Sequence, residues 1–321
     1  MESTRTSLRI HKRCAEAKDI VVLELRNHNQ QALAPFTAGS HLEVYLKKGL
    51  IRHYSLLNSP TETDRYVIAI HLSGESKGGS SFIHENFAVG DQLEVSLPRN
   101  NFILGEHQEY IFIAGGIGIT PILSMIDWCN IHQKKWKLFY TVRNKQRAGF
   151  YEYLSETYNE NTHFHFNDEH QLQHLDLDAI LENTSSTAHI YCCGPNSLMQ
   201  NLKEKSAAMS DRVHFEWFSA AQVAVDSDVI GDQQPFTVKL KNMDQEIEVL
   251  ADQTILEALE NAGYELPFSC RAGICRTCET KVCAGTPDHL DMILSDEERA
   301  ANQSMLICVS RSKSPVLELE I

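Results

Sequence analysis

The chain is predicted to be a multidomain protein of α+β and α/β class: an antiparallel β-barrel, then a parallel α/β domain, then a small cysteine-bearing C-terminal domain. Three observations predict it. Residues 8 to 97 read as short β-runs at close spacing with turn breaks, the pattern of a small antiparallel barrel. After Pro98, strand and helix alternate, which builds a parallel sheet covered by helices on both faces. Near the C-terminus Cys270, Cys275 and Cys278 stand at C-x4-C-x2-C, and Cys308 follows after 29 further residues.

In the first part, taken as residues 1–102, the β-runs are Ile20 to Leu25, His41 to Leu46, Arg52 to Leu57, Tyr66 to His71 and Gln92 to Leu97. A helix starting near Ser80 interrupts them before Gly90-Asp91 turns the chain back. The second part, 103–225, has strands Tyr110 to Ala114, Lys137 to Val142, His163 to Asn167 and His189 to Cys193. Helices follow from Pro121, near Phe150 to Glu156, near Leu175 to Leu181, and from Asn196. The stretch around Asp226, Asp228, Gly231 and Asp232 is poor in large apolar residues, so 226–235 is a predicted linker. The last domain, 236–321, opens with a hairpin (Phe236 to Leu240, Glu246 to Leu250), continues with a helix from Thr254 to Asn261, and ends on the alternating strand Val316 to Ile321.

Bulk properties exclude several classes. With 42% hydrophobic and 22% charged residues, the 321-residue chain has the composition of a globular protein rather than a disordered one. A formal net charge of -14 argues against a nucleic-acid partner, because phosphate binding needs clustered Lys and Arg. No apolar run approaches the roughly 20 residues that span a bilayer, and Met1 to Arg5 lacks the apolar core of a signal peptide. No membrane association and a cytoplasmic location are therefore expected, where nine cysteines serve metal or redox chemistry before disulfides.

The cysteine spacing is that of plant-type 2Fe-2S ligands. Three thiolates must come from one tight loop, and Gly273 inside it permits close approach and positive φ. A structural zinc site also takes four cysteines, but zinc ribbons usually present two C-x2-C pairs and only one is present. Cys14, Cys129 and Cys283 are expected to be buried small hydrophobes. The fifteen histidines show no pairing with cysteine at ligand spacing, so solvated or packing roles are expected of them.

Gly115, Gly116 and Gly118 lie between an apolar strand and a helix, where they let a pyrophosphate approach backbone N–H groups at the positive helix end. Thr120 is the expected cap and Pro121 the first helical residue; a plain tight turn would also call for glycines. Cys193, Gly194 and Pro195 end the last expected strand of this sheet, and ligands of open α/β sheets bind beyond such ends. Arg143, after the strand Lys137 to Val142, is placed in the same cofactor-binding set.

In the barrel, Arg52, His53, Tyr54 and Ser55 share a strand, with Arg52 and Tyr54 on one side and His53 and Ser55 on the other. An arginine beside an aromatic ring and a hydroxyl suits a flavin: charge compensation from Arg52, a ring flanked by Tyr54, a hydrogen bond near N5 from Ser55. Lys77, Gly78, Gly79, Ser80 and Ser81 place a cation, two glycines and two hydroxyls at a helix start, which makes a phosphate cradle.

Arg52 to Leu56, Lys77 to Ser81, Gly115 to Pro121, Tyr191 to Pro195, His214 to Phe218 and the four cysteines, in this order, resemble the phthalate dioxygenase reductase family over essentially the whole chain. The resemblance implies a C-terminal β-grasp ferredoxin domain, FMN in the barrel, NADH as hydride donor, and a Rieske-type oxygenase component as electron acceptor. It also implies that Thr120 and Cys193 line the nicotinamide pocket and that Phe218 shields the flavin. Lys77 stands where the family often has Arg, which keeps the charge but loses bidentate geometry. Arg276 stands where the family often has Gly and would set a cation beside the cluster.

A nicotinamide gives two electrons and an iron-sulfur cluster takes one, so FMN must mediate, and no side chain is needed as general acid or base. A cytochrome P450 or another acceptor, or a redox-sensing carrier role, is the alternative. The segment from Phe236 holds eight Lys and Arg against fifteen Asp and Glu, a net charge of -7 that suits docking to a basic partner. Part of that charge has a local use, since Ser295 to Glu298 reads as a capping box.

Overall fold

The computed structural model describes residues 5–46, 50–72, 78–170, 172–218, 234–241, 243 and 245–321. The chain forms two compact units, Met1–Phe218 and Ser219–Ile321. The expected linker falls almost wholly outside the described residues.

The first unit begins with β1 (Arg5–Ala17), β2 (Ile20–Asn27), β3 (His41–Tyr45), β4 (Ile51–Ser55), β5 (Tyr66–His71), α1 (Gly79–Asn86) and β6 (Gln92–Ser96). Sheet order is β4-β3-β6-β1-β2-β5 with every pair antiparallel. Just past β4 the Leu57 N–H donates to Val67 O of β5 at 3.0 Å, which joins the two ends of the sheet into a barrel. Each strand sends alternate residues inward, among them Leu8, Leu23, Leu42, Ile68 and Leu93. Burying each such side chain fully contributes about 1.5–3 kcal/mol.

β1 was not among the expected strands. Past Leu8 and Ile10 its positions carry Lys12, Arg13 and Glu16, so the period-two signal is lost although the backbone pairs with both β2 and β6. β2, by contrast, is buried on both faces: Ile20 and Val22 pack outward, with Val67 and Ala69, against Ile117 and Phe150 of the following domain. That seam makes barrel and α/β domain one unit.

The α/β domain comprises β7 (Glu109–Gly115), α2 (Ile119–Ile131), β8 (Lys135–Val142), α3 (Tyr151–Thr157), β9 (Thr162–Phe166), α4 (Leu177–Glu182), β10 (His189–Cys193), α5 (Asn196–Lys205) and β11 (Val213–Glu216). Its sheet is parallel throughout, in the order β11-β10-β7-β8-β9. The winding reverses between β7 and β10, and that crevice is where open α/β sheets bind ligands. β11 is a fifth strand beyond the four expected. Its four residues, Val-His-Phe-Glu, are too few and too polar to show a strand pattern.

The second unit holds β12 (Phe236–Leu240), β13 (Glu246–Val249), α6 (Ile255–Asn261), β14 (Glu279–Ala284), β15 (Pro287–Asp288), α7 (Asp296–Ala301), β16 (Ser304–Leu306), β17 (Arg311–Ser312) and β18 (Val316–Glu320). β12 and β18 run parallel at the centre of the order β13-β12-β18-β14-β16, and the other pairs are antiparallel. Leu256 and Leu259 of α6 pack on this sheet with Val238 and Leu317, giving a β-grasp. Both short helices open on full capping boxes, Thr254 with Glu257 and Ser295 with Glu298.

Cys129 is fully buried as expected, whereas Cys14 and Cys283 are only half-buried. Cys283 lies on the polar rim of β14, its thiol 3.8 Å from Glu320 Oε2, so the expectation of a buried hydrophobe is corrected there. No helix among the described residues is long and apolar enough to cross a membrane.

Candidate functional site

The loop from Cys270 to Cys278 joins α6 to β14, and Cys308 follows β16. None of the four is in a disulfide. The Cys270 thiol is within hydrogen-bonding reach of both Cys275 and Cys308, and Cys308 of Cys278, so the four sulfurs converge. The Ala272 N–H donates to Cys270 Sγ at 3.3 Å. The loop bends through three left-handed residues, Arg271, Gly273 and Arg276, at φ 52°, 70° and 59°. A Cβ on Gly273 would stand 3.0 Å from Asp291 Cα and closer still to Val309, so only glycine fits. Four convergent thiols with backbone donors fit a 2Fe-2S cluster.

Arg276 takes the left-handed conformation that glycine adopts at no cost. Its guanidinium holds Glu298 in a two-point contact (2.6 and 2.9 Å), with Glu279 at 3.4 Å. The cation expected beside the cluster is thus ion-paired, with Glu298 of α7 and Glu279 of β14.

At the switch point the chain leaves β7 through a tight 3-10 turn, Gly116–Gly118, before α2. The three glycines do different work. A Cβ on Gly115 would lie 2.5 Å from Pro195 Cδ, and one on Gly118 would overlap the Cys193 carbonyl. These two allow the β7–α2 and β10–α5 turns to pack backbone against backbone. Gly116, at φ +55°, has nothing within 4 Å of its Cβ direction and leaves its backbone open to a ligand. Gly194 meets Gly115 in the same close contact.

Thr120 is not the cap of α2. Gly118 occupies that position, and the Thr120 hydroxyl donates to Ile117 O at 3.0 Å from inside the first turn, with Pro121 beside it. The 3-10 lead-in starts the helix earlier than a cap-based reading places it.

Cys193, at the end of β10, pairs in register with Glu216 at the end of β11. Burial, and then the neighbouring Glu216, pushes the Cys193 thiol well above its usual range. Burial alone pushes the Glu216 carboxyl up to about 8, so it is protonated at neutral pH. Its Oε2 is buried without a hydrogen-bond partner, although the residue as a whole is half-buried. An orphaned carboxyl oxygen at the carboxyl end of the sheet fits a ligand group that donates hydrogen bonds, such as a nicotinamide carboxamide. Sequence reasoning missed Glu216; an acid ending a short β-run just before Trp217-Phe218 was the available signal. Phe218 follows β11 and is 43% exposed. Arg143 follows β8, largely exposed, with Nε 3.6 Å from Asp168 Oδ1.

On the barrel, Arg52 lies against the first turn of α1. A Cβ on Gly79 would overlap Arg52 Nε, so glycine is what lets the guanidinium cover the helix start. Gly78 caps that helix at φ 85°, Ser80 and Ser81 lie in its first turn, and no acidic residue does. A guanidinium over a helix whose first turn carries no acidic residue fits a phosphate. Lys77 lies outside the described residues. Tyr54 packs on the interior cluster, and burial raises its phenol above the usual range. Ser55 is buried on the opposite face. His53 turns to that face too, stacked on His41 at 4.9 Å and 3.8 Å from Glu43, where burial lowers it to about 4.

Comparison with known proteins agrees with this geometry. Residues 238–313 match the 2Fe-2S iron-sulfur cluster binding domain, and residues 112–204 match the oxidoreductase NAD-binding domain. The chain is 40% identical over 316 residues to vanillate O-demethylase oxidoreductase of Acinetobacter baylyi, covering 97% of this chain and 98% of that one. A solved structure of phthalate dioxygenase reductase, described as modular for electron transfer from pyridine nucleotides to [2Fe-2S], superposes with a TM-score of 0.74 at 34% identity, over 100% of this chain and 99% of that one. An intact type IV self-sufficient cytochrome P450 monooxygenase superposes with a TM-score of 0.88 at 33% identity over 99% of this chain, which spans 41% of that longer protein. With an NAD-binding sheet, a 2Fe-2S domain and near-full-length relatives of this kind, the chain is an oxidoreductase and belongs to the phthalate dioxygenase reductase family.

Proposed function

We propose that this protein is the NADH-dependent reductase component of a Rieske-type oxygenase system, working in the cytoplasm with FMN in its barrel and a 2Fe-2S cluster in its C-terminal domain. The observation that carries this is the convergence of Cys270, Cys275, Cys278 and Cys308 in the same chain as the parallel nucleotide-binding sheet. Bound FMN supplies the exchange between a two-electron hydride donor and a one-electron acceptor.

The chain's own residues bind and orient. Arg52 and the start of α1 would hold the flavin phosphate, with Ser80, Ser81 and Lys77 in the same cradle. Tyr54 would flank the ring and Ser55 would hydrogen-bond beside it. The open backbone at Gly116 would receive the NADH pyrophosphate, supported by Arg143, while Gly115 and Gly118 keep the facing turn in place. Thr120, Cys193 and Glu216 would frame the nicotinamide: the protonated Glu216 puts no negative charge beside the dihydropyridine and keeps an acceptor oxygen for its carboxamide. Phe218 would cover the flavin face until the nicotinamide replaces it. No residue has to move a proton.

The test is anaerobic stopped-flow mixing of purified protein with NADH and with NADPH, followed by reconstitution with candidate oxygenases. Rapid bleaching by NADH and NADH-dependent substrate oxidation are expected. A protein whose iron, sulfide and FMN content is near zero, or which NADH does not reduce, rules the proposal out. A cytochrome P450 acceptor is the second reading, favoured by the 0.88 superposition on the self-sufficient monooxygenase. Reduction of a P450 partner but of no Rieske oxygenase would select it.

A further inference from the structure

Three histidines that are far apart in sequence meet at the opposite end of the α/β sheet. His107 precedes β7, His189 opens β10, and His214 is the second residue of β11. Nitrogen atoms of the three rings all lie within 4.8 Å of one another, and each residue is half-buried. His189 Nδ1 and His214 Nε2 are 3.1 Å apart, and the rings of His107 and His189 stack at 3.3 Å.

We propose that His107, His189 and His214 form a binding site for a divalent transition cation of the Zn2+ class, which ties the 105–107 loop, β10 and the edge strand β11 together. Three imidazoles with a fourth position open to water are a common ligand set for zinc, at about 2.0–2.1 Å per nitrogen. A tetrahedral centre of that size spaces its ligand nitrogens about 3.4 Å apart. His189 Nδ1 and His214 Nε2, hydrogen-bonded at 3.1 Å, stand close to that separation, and a bound cation would replace that hydrogen bond and part the stacked rings of His107 and His189. Imidazole without thiolate or carboxylate selects Zn2+, Ni2+ and Cu2+ over Mg2+ and Ca2+.

The surroundings hold the site open and the rings neutral. Gly105 leaves room for His107, since a Cβ there would stand 2.6 Å from His107 Nε2. The loop is pinned by Gly105 N–H donating to the Tyr191 hydroxyl and His107 N–H to the Tyr110 hydroxyl, at 2.9 and 2.7 Å. Burial holds all three rings below the usual imidazole range, helped by the neighbouring histidines at His107 and at His214 (lowered to about 4) and by Arg212 at His189, and the neutral ring is the ligand form. Lys134 and Arg212 add positive charge nearby and Asp211 negative charge; Arg212 is itself anchored on the carbonyls of Ser185 and Ala188. His189 is four residues from Cys193 along β10, about 13 Å at strand spacing, so this site is separate from the nucleotide end. Its reach there is through β11, which carries His214 at one end and Glu216 at the other.

The experiment is equilibrium dialysis of the holoenzyme, with cluster and flavin loaded, against micromolar Zn2+, with metal content by mass spectrometry and the cluster followed by its visible absorbance. One Zn2+ per chain is expected in the wild type, bound at least tenfold more weakly in His107→Ala and in His189→Ala, with the cluster spectrum intact and a higher melting midpoint when Zn2+ is present. His189→Gln carries the test should alanine at 189 disturb the fold. The proposal is overturned if no Zn2+ binds, if the variants bind it as well as the wild type, or if uptake occurs only as the cluster absorbance is lost, which would locate the metal on the cysteines.

Discussion

Glu216 and Cys193 stand side by side in register at the carboxyl ends of β11 and β10, a protonated acid next to a protonated thiol. Neither carries charge at neutral pH, so the crevice at the switch point offers polarity without a field that repels or captures electrons. Burial is the cause on both sides.

That arrangement has a pH signature. The folded-state pKa of Glu216 is raised from 4.5 to about 8. Between these values the unfolded chain ionises this carboxyl and the folded chain does not, so the wild type loses stability as pH rises from about 4.5 to about 8 and no further above it. Glu216→Gln cannot ionise. Its melting midpoint is expected to equal that of the wild type near pH 4.5 and to exceed it increasingly toward pH 8; parallel curves for the two proteins would refute the buried-acid reading.

The glycines of the 115–118 turn should separate by position. Gly118→Ala drives a Cβ into the Cys193 carbonyl, where backbone meets backbone and neither turn can yield, and is expected to cost more than about 2 kcal/mol in chemical denaturation. Gly116→Ala meets open space and is expected to cost only about 1–2 kcal/mol, from its positive φ. NADH affinity should nonetheless fall in Gly116→Ala, because the added methyl occupies the face left open to the dinucleotide.

Arg276→Gly removes a left-handed strain of about 1–2 kcal/mol and a half-exposed ion pair with Glu298 worth about 0.2–1 kcal/mol. The two changes oppose each other. The variant should keep its cluster through purification and shift the rate of thermal cluster loss by less than about threefold. A large shift in cluster midpoint potential would show that the guanidinium acts on the cluster in spite of Glu298.

Cysteine substitutions should divide sharply. Cys308→Ser is expected to abolish the cluster and to loosen the surrounding core, since Cys308 is buried in it with Leu306 and Ile307. Cys283→Ser, at a half-buried rim position, should retain full iron and sulfide content and wild-type NADH-dependent reduction of an artificial one-electron acceptor. Iron and sulfide analysis of both variants decides the matter.

The sequence alone determined the order of the barrel, the parallel sheet and the cysteine-bearing domain, the spacing of the four cysteines proposed as cluster ligands, and the glycine turns proposed for phosphates. Most of those features are local: a 2.0 or 3.6 residue period, a capping box, the C-x4-C-x2-C run or a glycine before a helix lies within a few neighbouring residues. Tertiary structure decided what depends on sheet order. It set β11 beside β10, which delivered Glu216 to Cys193 and His214 to His189; it pressed Gly115 and Gly118 against Cys193 and Gly194; and it turned Arg276 toward Glu298. Strand β1 escaped the sequence because charged residues replaced its apolar period, while its backbone pairing on both sides kept it in the barrel. Contacts between segments far apart along the chain leave no periodic trace, because what selects them is burial and backbone hydrogen bonding in the assembled sheet.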